Sequence, residues 1–322
     1  MKLQLSEVHP ELRQIAKRIP RFTFNRRSLW LMHILDVLRW IPGTPKDIVI
    51  ENSFIPTLDQ RAQIRLRFYK SQSGPQSSAL LPETTAPGLI WFHGGGYISG
   101  NPEIDDLRCI HLVRETGAIV VSVDYRYAPK HPYPTPLDDG YAALKWVNTH
   151  AGELGVDAER IAIGGDSAGG GLAAALAQLA CDRREIRLVA QILVYPMLDD
   201  RTVLRADLAG KEIVVWNQSS NRFGWESYLG KPGGAASVPA YAVPARREDL
   251  SGLPPAWIGV GTLDLFHDEV VAYAQRLQNC GVECELCVVP GAFHGFDMAA
   301  FRSQVAQDFW KAQITMLKKH LC

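Results

Sequence analysis

Short apolar segments alternate with helix-like segments from residue 88 onwards, and this alternation limits the possible folds more than any other feature. Strands of a parallel sheet are buried on both faces, so they are nearly continuous apolar runs, and each is joined to the next by a crossover, usually a helix. The alternation therefore predicts an α/β fold with a mostly parallel central sheet flanked by helices. The predicted strands are residues 88–93, 118–124, 160–164, 188–195, 255–259 and 283–289, and the predicted helices are residues 105–115, 137–150, 168–181, 269–280 and 301–319.

Three parts of the chain depart from this alternation. Residues 1–45 are predicted to be helical, with interruptions at three prolines. Residues 48–54 and 63–69 are strand-like runs that precede the regular pattern. Residues 199–250 are polar, rich in glycine and contain tryptophan, so we expect an insertion between two strands.

Composition excludes some classes of partner. The 322 residues include 34 Lys and Arg and 34 Asp and Glu, so the net charge of zero does not favour nucleic acid or an anionic membrane. The N-terminus lacks the continuous apolar core of a signal peptide, and the apolar residues 29–41 are too few to span a bilayer. We therefore expect no membrane span and a cytoplasmic location. The six cysteines are expected to be free thiols.

Cys280, Cys284 and Cys287 have a spacing that is also used to bind iron–sulfur clusters. Residues 282–289 look like a strand, however, in which positions three residues apart point to opposite faces. These cysteines are therefore predicted to be buried or half-buried thiols, and no metal or other cofactor is expected.

Gly165-Asp166-Ser167-Ala168-Gly169 follows a predicted strand and opens a predicted helix. This G-x-S-x-G pattern in a strand–turn–helix context lifts a serine hydroxyl out of the backbone as a nucleophile. The helix N-terminus behind it favours negative charge. A glycine-rich turn that binds phosphate would have the same local pattern, so this alternative stays open for the motif alone.

His93-Gly94-Gly95-Gly96 follows an earlier predicted strand. Acyl transfer requires N–H donors that are already aimed at the developing oxyanion, and glycines let the backbone approach the substrate closely. The run therefore predicts an oxyanion hole; its alternative is a flexible loop.

A serine nucleophile needs a base and a group that orients the base. His294 lies in a glycine-containing loop directly after a predicted strand, and Asp264 directly follows the preceding strand. Both therefore lie at carboxyl ends of strands, where ligands of open α/β sheets bind. His267 and Asp268 are nearby alternatives, although His267 is predicted to start a helix. The expected catalytic residues are Ser167, His294 and Asp264.

Together these motifs resemble the hormone-sensitive-lipase-like family of α/β-hydrolases, also called bacterial esterase family IV. The matching stretches are collinear over about two thirds of the chain: residues 93–100 (HGGGYISG), 124–129 (DYRYAP), 131–134 (HPYP), 165–170 (GDSAGG), Asp264 and residues 294–296 (HGF). Where the family has proline after its acidic residue this chain has Leu265, which keeps Asp268 as an alternative acid.

The resemblance implies an α/β-hydrolase fold with a helical cap. The catalytic domain would comprise residues 46–198 and 251–322, and the cap would comprise residues 1–45 and 199–250. It also implies that backbone N–H groups of three residues form the oxyanion hole: Gly95, Gly96 and Ala168. Whether Gly94 donates in place of Gly96 stays open.

The motifs thus predict a carboxylesterase that works through an acyl-enzyme, and the resemblance implies that it hydrolyses short- to medium-chain acyl esters. Apolar residues between Leu29 and Trp40 are candidates for the wall of an acyl pocket, and the alternative is that they pack in the core of the cap. Two alternatives remain: an amidase or carbamate hydrolase that uses the same residues, and a non-catalytic small-molecule receptor on the same fold. The expected partner is a small ester, and a homodimer formed by the last strand and helix is a further possibility.

Overall fold

The computed structural model describes residues 3–30, 43–73 and 85–321. These residues form one eight-stranded sheet with the strand order β1-β2-β4-β3-β5-β6-β7-β8. β2 pairs antiparallel with β1 and β4, and the remaining neighbours are parallel, so the predicted mostly parallel sheet is confirmed. The strands are β1 (Ile48–Pro56), β2 (Gln63–Ser71), β3 (Ala86–Phe92), β4 (Ile119–Asp124), β5 (Val156–Asp166), β6 (Gln191–Val194), β7 (Ala256–Gly261) and β8 (Cys284–Val289).

Helices cover this sheet. The helix Asp106–Thr116 packs against the helix Gln304–Leu321. The helix Thr135–Thr149 packs against the helix Ala168–Arg183, which also contacts β3, β5 and β6. Every residue of β3 and β7 is buried, as expected for strands covered on both faces. The helices, numbered among the described residues, are α1 (Arg13–Arg18), α2 (Asp106–Thr116), α3 (Thr135–Thr149), α4 (Ala151–Leu154), α5 (Ala168–Arg183), α6 (Gln218–Leu229), α7 (His267–Asn279), α8 (Phe296–Ala299) and α9 (Gln304–Leu321).

The N-terminal segment is less helical than predicted. A 3₁₀ turn at Pro10–Leu12 continues into α1, and the backbone of Ile19 is then extended, with φ −69° and ψ 119°. Pro20 explains this end, because the ring of a proline disfavours helical backbone in the residue before it. Residues 19–28 contain no helix. Of the rest of the segment predicted to be helical, residues 31–42 lie outside the described residues.

The segment between β6 and β7 carries α6 and packs against the N-terminal segment. The guanidinium of Arg21 lies 2.8 Å from Glu212, and the backbone N–H of Phe24 donates to Ser220 Oγ at 2.9 Å. The ring of Phe24 also stacks on Trp216, with 5.7 Å between the ring centroids. Two stretches almost 200 residues apart in sequence are thereby joined.

The cysteine-rich stretch forms the predicted strand. Cys284 and Cys287 both belong to β8, and Cys280 follows the last residue of α7. All three are free thiols, and burial raises the pKa of Cys284 to about 12. Elsewhere, no helix among the described residues combines the length and apolar character needed to cross a bilayer.

Candidate active site

The carboxyl ends of four strands bring the predicted residues to one edge of the sheet. His93 follows β3 and Ser167 follows β5, two strands that pair in parallel. Asp264 comes after β7 and His294 after β8, which also pair in parallel. Because parallel strands end at the same edge, all four loops lie together.

Ser167 lies in the sharp turn that the G-x-S-x-G pattern predicts. Its backbone has φ 54° and ψ −121°, a conformation that costs energy in residues other than glycine and is often found at functional sites. The turn is held by Ser167 N–H, which donates to the carbonyl of Val194, and by Met197 N–H, which donates to the carbonyl of Ser167, both at 2.9 Å. A Cβ at Gly169 would lie 2.0 Å from the Phe92 carbonyl oxygen, so the strand-to-helix packing requires glycine there.

Ser167, His294 and Asp264 form a hydrogen-bonded chain. Nε2 of His294 lies 2.9 Å from Ser167 Oγ, and Nδ1 of the same ring lies 2.7 Å from Asp264 Oδ2. The other carboxylate oxygen of Asp264 accepts from the N–H of Phe266 at 2.9 Å. All three residues are buried, with relative exposures of 5–6%.

The sequence alternatives His267 and Asp268 lie elsewhere. His267 starts α7, as predicted, and its Nδ1 lies 2.6 Å from Asp268. Asp268 also pairs with Arg205, and its side chain is 56% exposed. Neither is hydrogen-bonded to His294 among the described residues.

Two aromatic rings hold the imidazole of His294 edge-on. Tyr195 lies 4.7 Å away between ring centroids, and Phe266 lies 5.3 Å away, both in T-shaped geometry. These contacts restrict the ring to the plane in which its two nitrogens reach Ser167 and Asp264.

A buried polar cluster holds the loop that carries His294. Arg108 donates to Asp297 Oδ2 at 2.8 Å, and the hydroxyl of Tyr195 donates to Asp297 Oδ1 at 2.9 Å. Trp310 Nε1 donates to the same carboxylate at 2.7 Å. Since Asp297 is three residues from His294, the ion pair fixes the histidine loop to α2. Sequence reasoning missed this cluster; the position of Asp297 after the HGF motif was its only signal.

The glycine loop after β3 is shaped by a stacked pair of rings. Tyr125 stacks on His93 at 4.3 Å between centroids, and its hydroxyl donates to the His93 carbonyl at 2.8 Å. Gly95 has φ 124°, and a Cβ there would lie 2.0 Å from the carbonyl oxygen of Ser99.

Within the described residues, the N–H groups of Gly95, Gly96 and Ala168 donate to no carbonyl or side chain. They are therefore available to an added acceptor.

Two buried carboxyl groups lie beneath this loop. Burial, together with the carboxylate of Asp105 to which Asp166 is hydrogen-bonded, raises the pKa of Asp166 well above its usual range. Asp105 in turn accepts from Trp91 Nε1 at 2.9 Å. The shift favours the protonated form of Asp166, because a buried carboxylate beside another carboxylate is destabilised.

Glu269 ties the start of α7 to the chain that leaves β6. One carboxylate oxygen accepts from the N–H groups of Leu198 and Asp199, at 2.7 and 3.1 Å, and the other accepts from the Thr202 hydroxyl. Burial raises the pKa of Glu269 to about 8, although these donors oppose the shift. No sequence motif indicates this contact.

A metal ion would need several ligating side chains close together. Among residues 3–30, 43–73 and 85–321, no group of three or more His, Cys, Asp or Glu side chains is arranged to hold an ion. The hydroxyl, imidazole and carboxylate instead form the connection that nucleophilic catalysis by serine requires.

Comparison with known proteins agrees with this geometry. The family model of the alpha/beta hydrolase fold matches residues 89–298. Carboxylesterase NlhH of Mycobacterium tuberculosis is 39% identical over 242 residues, which cover 73% of this chain and 74% of that protein. Ethyl acetate hydrolase of Pseudomonas putida is 33% identical over 248 residues, covering 74% and 75%. Gibberellin receptor GID1C of Arabidopsis thaliana is 32% identical over 293 residues, covering 87% and 83%.

The solved structure of a bacterial heroin esterase is similar over nearly its whole length. The two chains superpose with a TM-score of 0.87 at 32% sequence identity, and the match covers 99% of each. The similarity therefore includes both the sheet and the segments outside it. The chain belongs to the alpha/beta hydrolase fold family, and to its hormone-sensitive-lipase-like group, as the motifs predict.

Proposed function

We propose that this carboxylic ester hydrolase cleaves short- to medium-chain acyl esters through a covalent acyl-enzyme on Ser167. The observation that carries the proposal is the pair of hydrogen bonds from His294, at 2.9 Å to Ser167 and at 2.7 Å to Asp264. A buried hydroxyl, an imidazole and a carboxylate in that order are the components of a serine hydrolase triad.

In the first half of the reaction, Nε2 of His294 takes the proton of Ser167 while Oγ attacks the ester carbonyl. The imidazolium that results is stabilised by Asp264, which also fixes the proton on Nδ1. When the tetrahedral intermediate collapses, His294 returns its proton to the leaving alcohol, and the acyl group stays on Ser167.

The second half repeats these steps with water. His294 removes a proton from a water molecule, which attacks the acyl carbonyl. The imidazolium then protonates Ser167 Oγ as the carbon–oxygen bond breaks, and the carboxylic acid leaves. The serine, histidine and aspartate return to their starting protonation states.

The oxyanion of both intermediates is assigned to the N–H groups of Gly95, Gly96 and Ala168. Their lack of acceptors among the described residues supports this role, since preorganised donors need no reorganisation during the reaction. Ala168 is also the first residue of α5, where the helix dipole favours negative charge. Loss of one such donor typically costs about 100- to 1000-fold in kcat.

The N-terminal segment and the segment between β6 and β7 are proposed to form the cap. Their mutual contacts at Arg21, Phe24 and Trp216 support this division. A closed cap favours a bounded acyl pocket, and a relative whose name specifies ethyl acetate is consistent with small esters. The proposed location of part of the acyl pocket at residues 31–40 falls outside the described residues.

The test combines labelling and turnover. A fluorophosphonate probe should label the wild-type chain once, on Ser167, and p-nitrophenyl esters from acetate to dodecanoate should give the highest kcat/KM at or below octanoate. A Ser167→Ala variant should neither be labelled nor turn over. Turnover by that variant at the wild-type rate would refute the proposal, and a maximum at dodecanoate would refute its short-acyl part.

Assays on the same protein preparation distinguish two alternative functions. An amide or carbamate hydrolase would cleave an anilide at a rate comparable to the matched p-nitrophenyl ester, whereas we expect the ester to be strongly preferred. A receptor would bind without turnover. The intact hydrogen-bonded chain from Ser167 to Asp264 favours hydrolysis over binding alone.

A further inference from the structure

Trp216 contacts the oxyanion loop from the segment between β6 and β7. A Cβ at Gly96 would lie 2.1 Å from Cη2 of the indole, so ring and backbone are in direct contact and no side chain fits between them. Gly224 closes the contact on another side, since a Cβ there would lie 2.7 Å from the Gly96 carbonyl oxygen and 3.2 Å from Cζ2 of Trp216. The ring therefore occupies the space next to a proposed oxyanion donor.

Several interactions keep this ring in place. Nε1 of Trp216 donates to Asn221 Oδ1 at 3.2 Å, and Phe24 stacks on the ring with 29° between the planes. The neighbouring Asn217 caps α6 through the N–H of Ser220 and also donates to Thr23 Oγ1. Trp216 is only 5% exposed, so these contacts leave the indole little freedom to move.

The proton transfer to the leaving alcohol indicates which part of an ester lies next to Trp216. The leaving alcohol must lie near Nε2 of His294, because it receives its proton there. The rings of Tyr195 and Phe266 pack against His294, whereas Trp216 contacts Gly96 and Phe24. Trp216 lies beside the oxyanion loop, so an ester whose alcohol faces His294 can direct its acyl chain towards the indole.

We propose that Trp216 sets the acyl-chain length limit of this enzyme, with Phe24 supporting the ring from behind. The inference rests on the proposed function and adds a specificity-determining residue to it. A methylene that would overlap the indole is excluded, and a smaller side chain at 216 lets it be buried. Each methylene that becomes buried should then favour the longer ester by about fourfold in kcat/KM, the equivalent of about 0.8 kcal/mol.

The experiment measures kcat/KM for p-nitrophenyl acetate, butyrate, hexanoate and octanoate with the wild type and Trp216→Leu. The ratio of hexanoate to acetate should rise at least tenfold in the variant. Trp225→Leu is the matched control, because Trp225 is also buried in α6 but packs on Tyr97 and Tyr228. It should change the ratio by less than about twofold. If Trp216→Leu does not fold, Trp216→Phe replaces it and should shift the ratio in the same direction.

A second series fixes the acyl group and varies the alcohol, from ethyl to hexyl acetate. Trp216→Leu should leave this profile unchanged, and a shift here in place of the acyl series would overturn the assignment. Equal acyl ratios in Trp216→Leu and wild type would also overturn it. Ser167→Ala separates the two levels: if it were active, the proposed function would fail, whereas an inactive Ser167→Ala with unchanged ratios would refute only the role of Trp216.

Discussion

The carboxylate of Asp264 lies 2.7 Å from Nδ1 of His294, whereas Asp268, only four residues later, contacts His267. The sequence alone left both aspartates as candidates, because the proline that follows the family's acidic residue is Leu265 here. The structure brings Asp264 to the imidazole and leaves Asp268 on the surface.

Asp264→Asn should lower kcat by about 10⁴-fold, because the amide cannot hold the proton on Nδ1 and stabilise the imidazolium. Asp268→Asn is the matched control and should stay within about threefold of wild type, since exposed ion pairs contribute little. Steady-state hydrolysis of p-nitrophenyl butyrate measures both. Equal losses in the two variants would contradict the assignment.

Ser167→Ala should reduce kcat by about 10⁶-fold while the protein remains folded. The substitution removes one oxygen, and the turn keeps its backbone hydrogen bonds to Val194 and Met197. Far-UV circular dichroism and the urea midpoint should match the wild type. Activity near the wild-type level in a correctly folded variant would mean that another group is the nucleophile.

Asp297→Asn should lower the free energy of unfolding by about 3 kcal/mol, because it leaves the buried Arg108 without its anion. Tyr195→Phe keeps the ring against His294 and loses one hydrogen bond, which should cost about 1 kcal/mol. Asp207→Asn, in an exposed pair with Arg205, serves as control and should leave the free energy of unfolding nearly unchanged. Urea unfolding followed by fluorescence gives all three values, and equal costs for Asp297→Asn and the control would show that the cluster does not anchor the loop.

Glu269→Gln should change how stability depends on pH. The pKa of Glu269 is raised from 4.5 to about 8 in the folded chain, so between these values the folded state binds more protons than the unfolded state. The contribution of Glu269 to stability is therefore complete below about pH 4.5 and is lost as the pH rises towards 8. Glutamine does not titrate. The free energy of unfolding of the variant minus that of the wild type should therefore increase from pH 5 to pH 8.

Paired urea titrations at pH 5, 6, 7 and 8 measure this difference. A parallel pH dependence of the two proteins would mean that the carboxyl group is ionised throughout this range. Asp268→Asn controls for a surface carboxylate on the same helix. Because hydrogen bonds with His267 and Arg205 lower the pKa of Asp268, the effect of this substitution should not vary over this range.

Much of the sheet and the hydrogen-bonded site could be predicted from local patterns. Apolar runs such as residues 88–93 identify buried strands, and the turn chemistry around Ser167 requires glycines at particular positions. His294 and Asp264 could be placed because carboxyl ends of parallel strands share an edge.

What could not be predicted depends on contacts between residues far apart in sequence. Arg108 belongs to a helix with charged neighbours, and nothing local indicates that it pairs with Asp297 in the core. Glu269 looks like an ordinary acidic residue in the first turn of α7. Helix is also predicted between Pro20 and residue 28, where the structure has none, and α1 ends at Arg18 because Pro20 disfavours helical backbone at Ile19.

Strand β5 lies inside the sheet, paired with β3 and β6, and Ser167 is attached directly to its end. Amides in such a strand exchange with solvent only when the whole domain opens, whereas segments outside a sheet open more readily. Trp216 belongs to a segment outside the sheet. On the proposed role of Trp216, substitutions between residues 199 and 250 change which esters are accepted while the position of the Ser167 hydroxyl is preserved. The range of substrates can then diverge without a change in the chemical step.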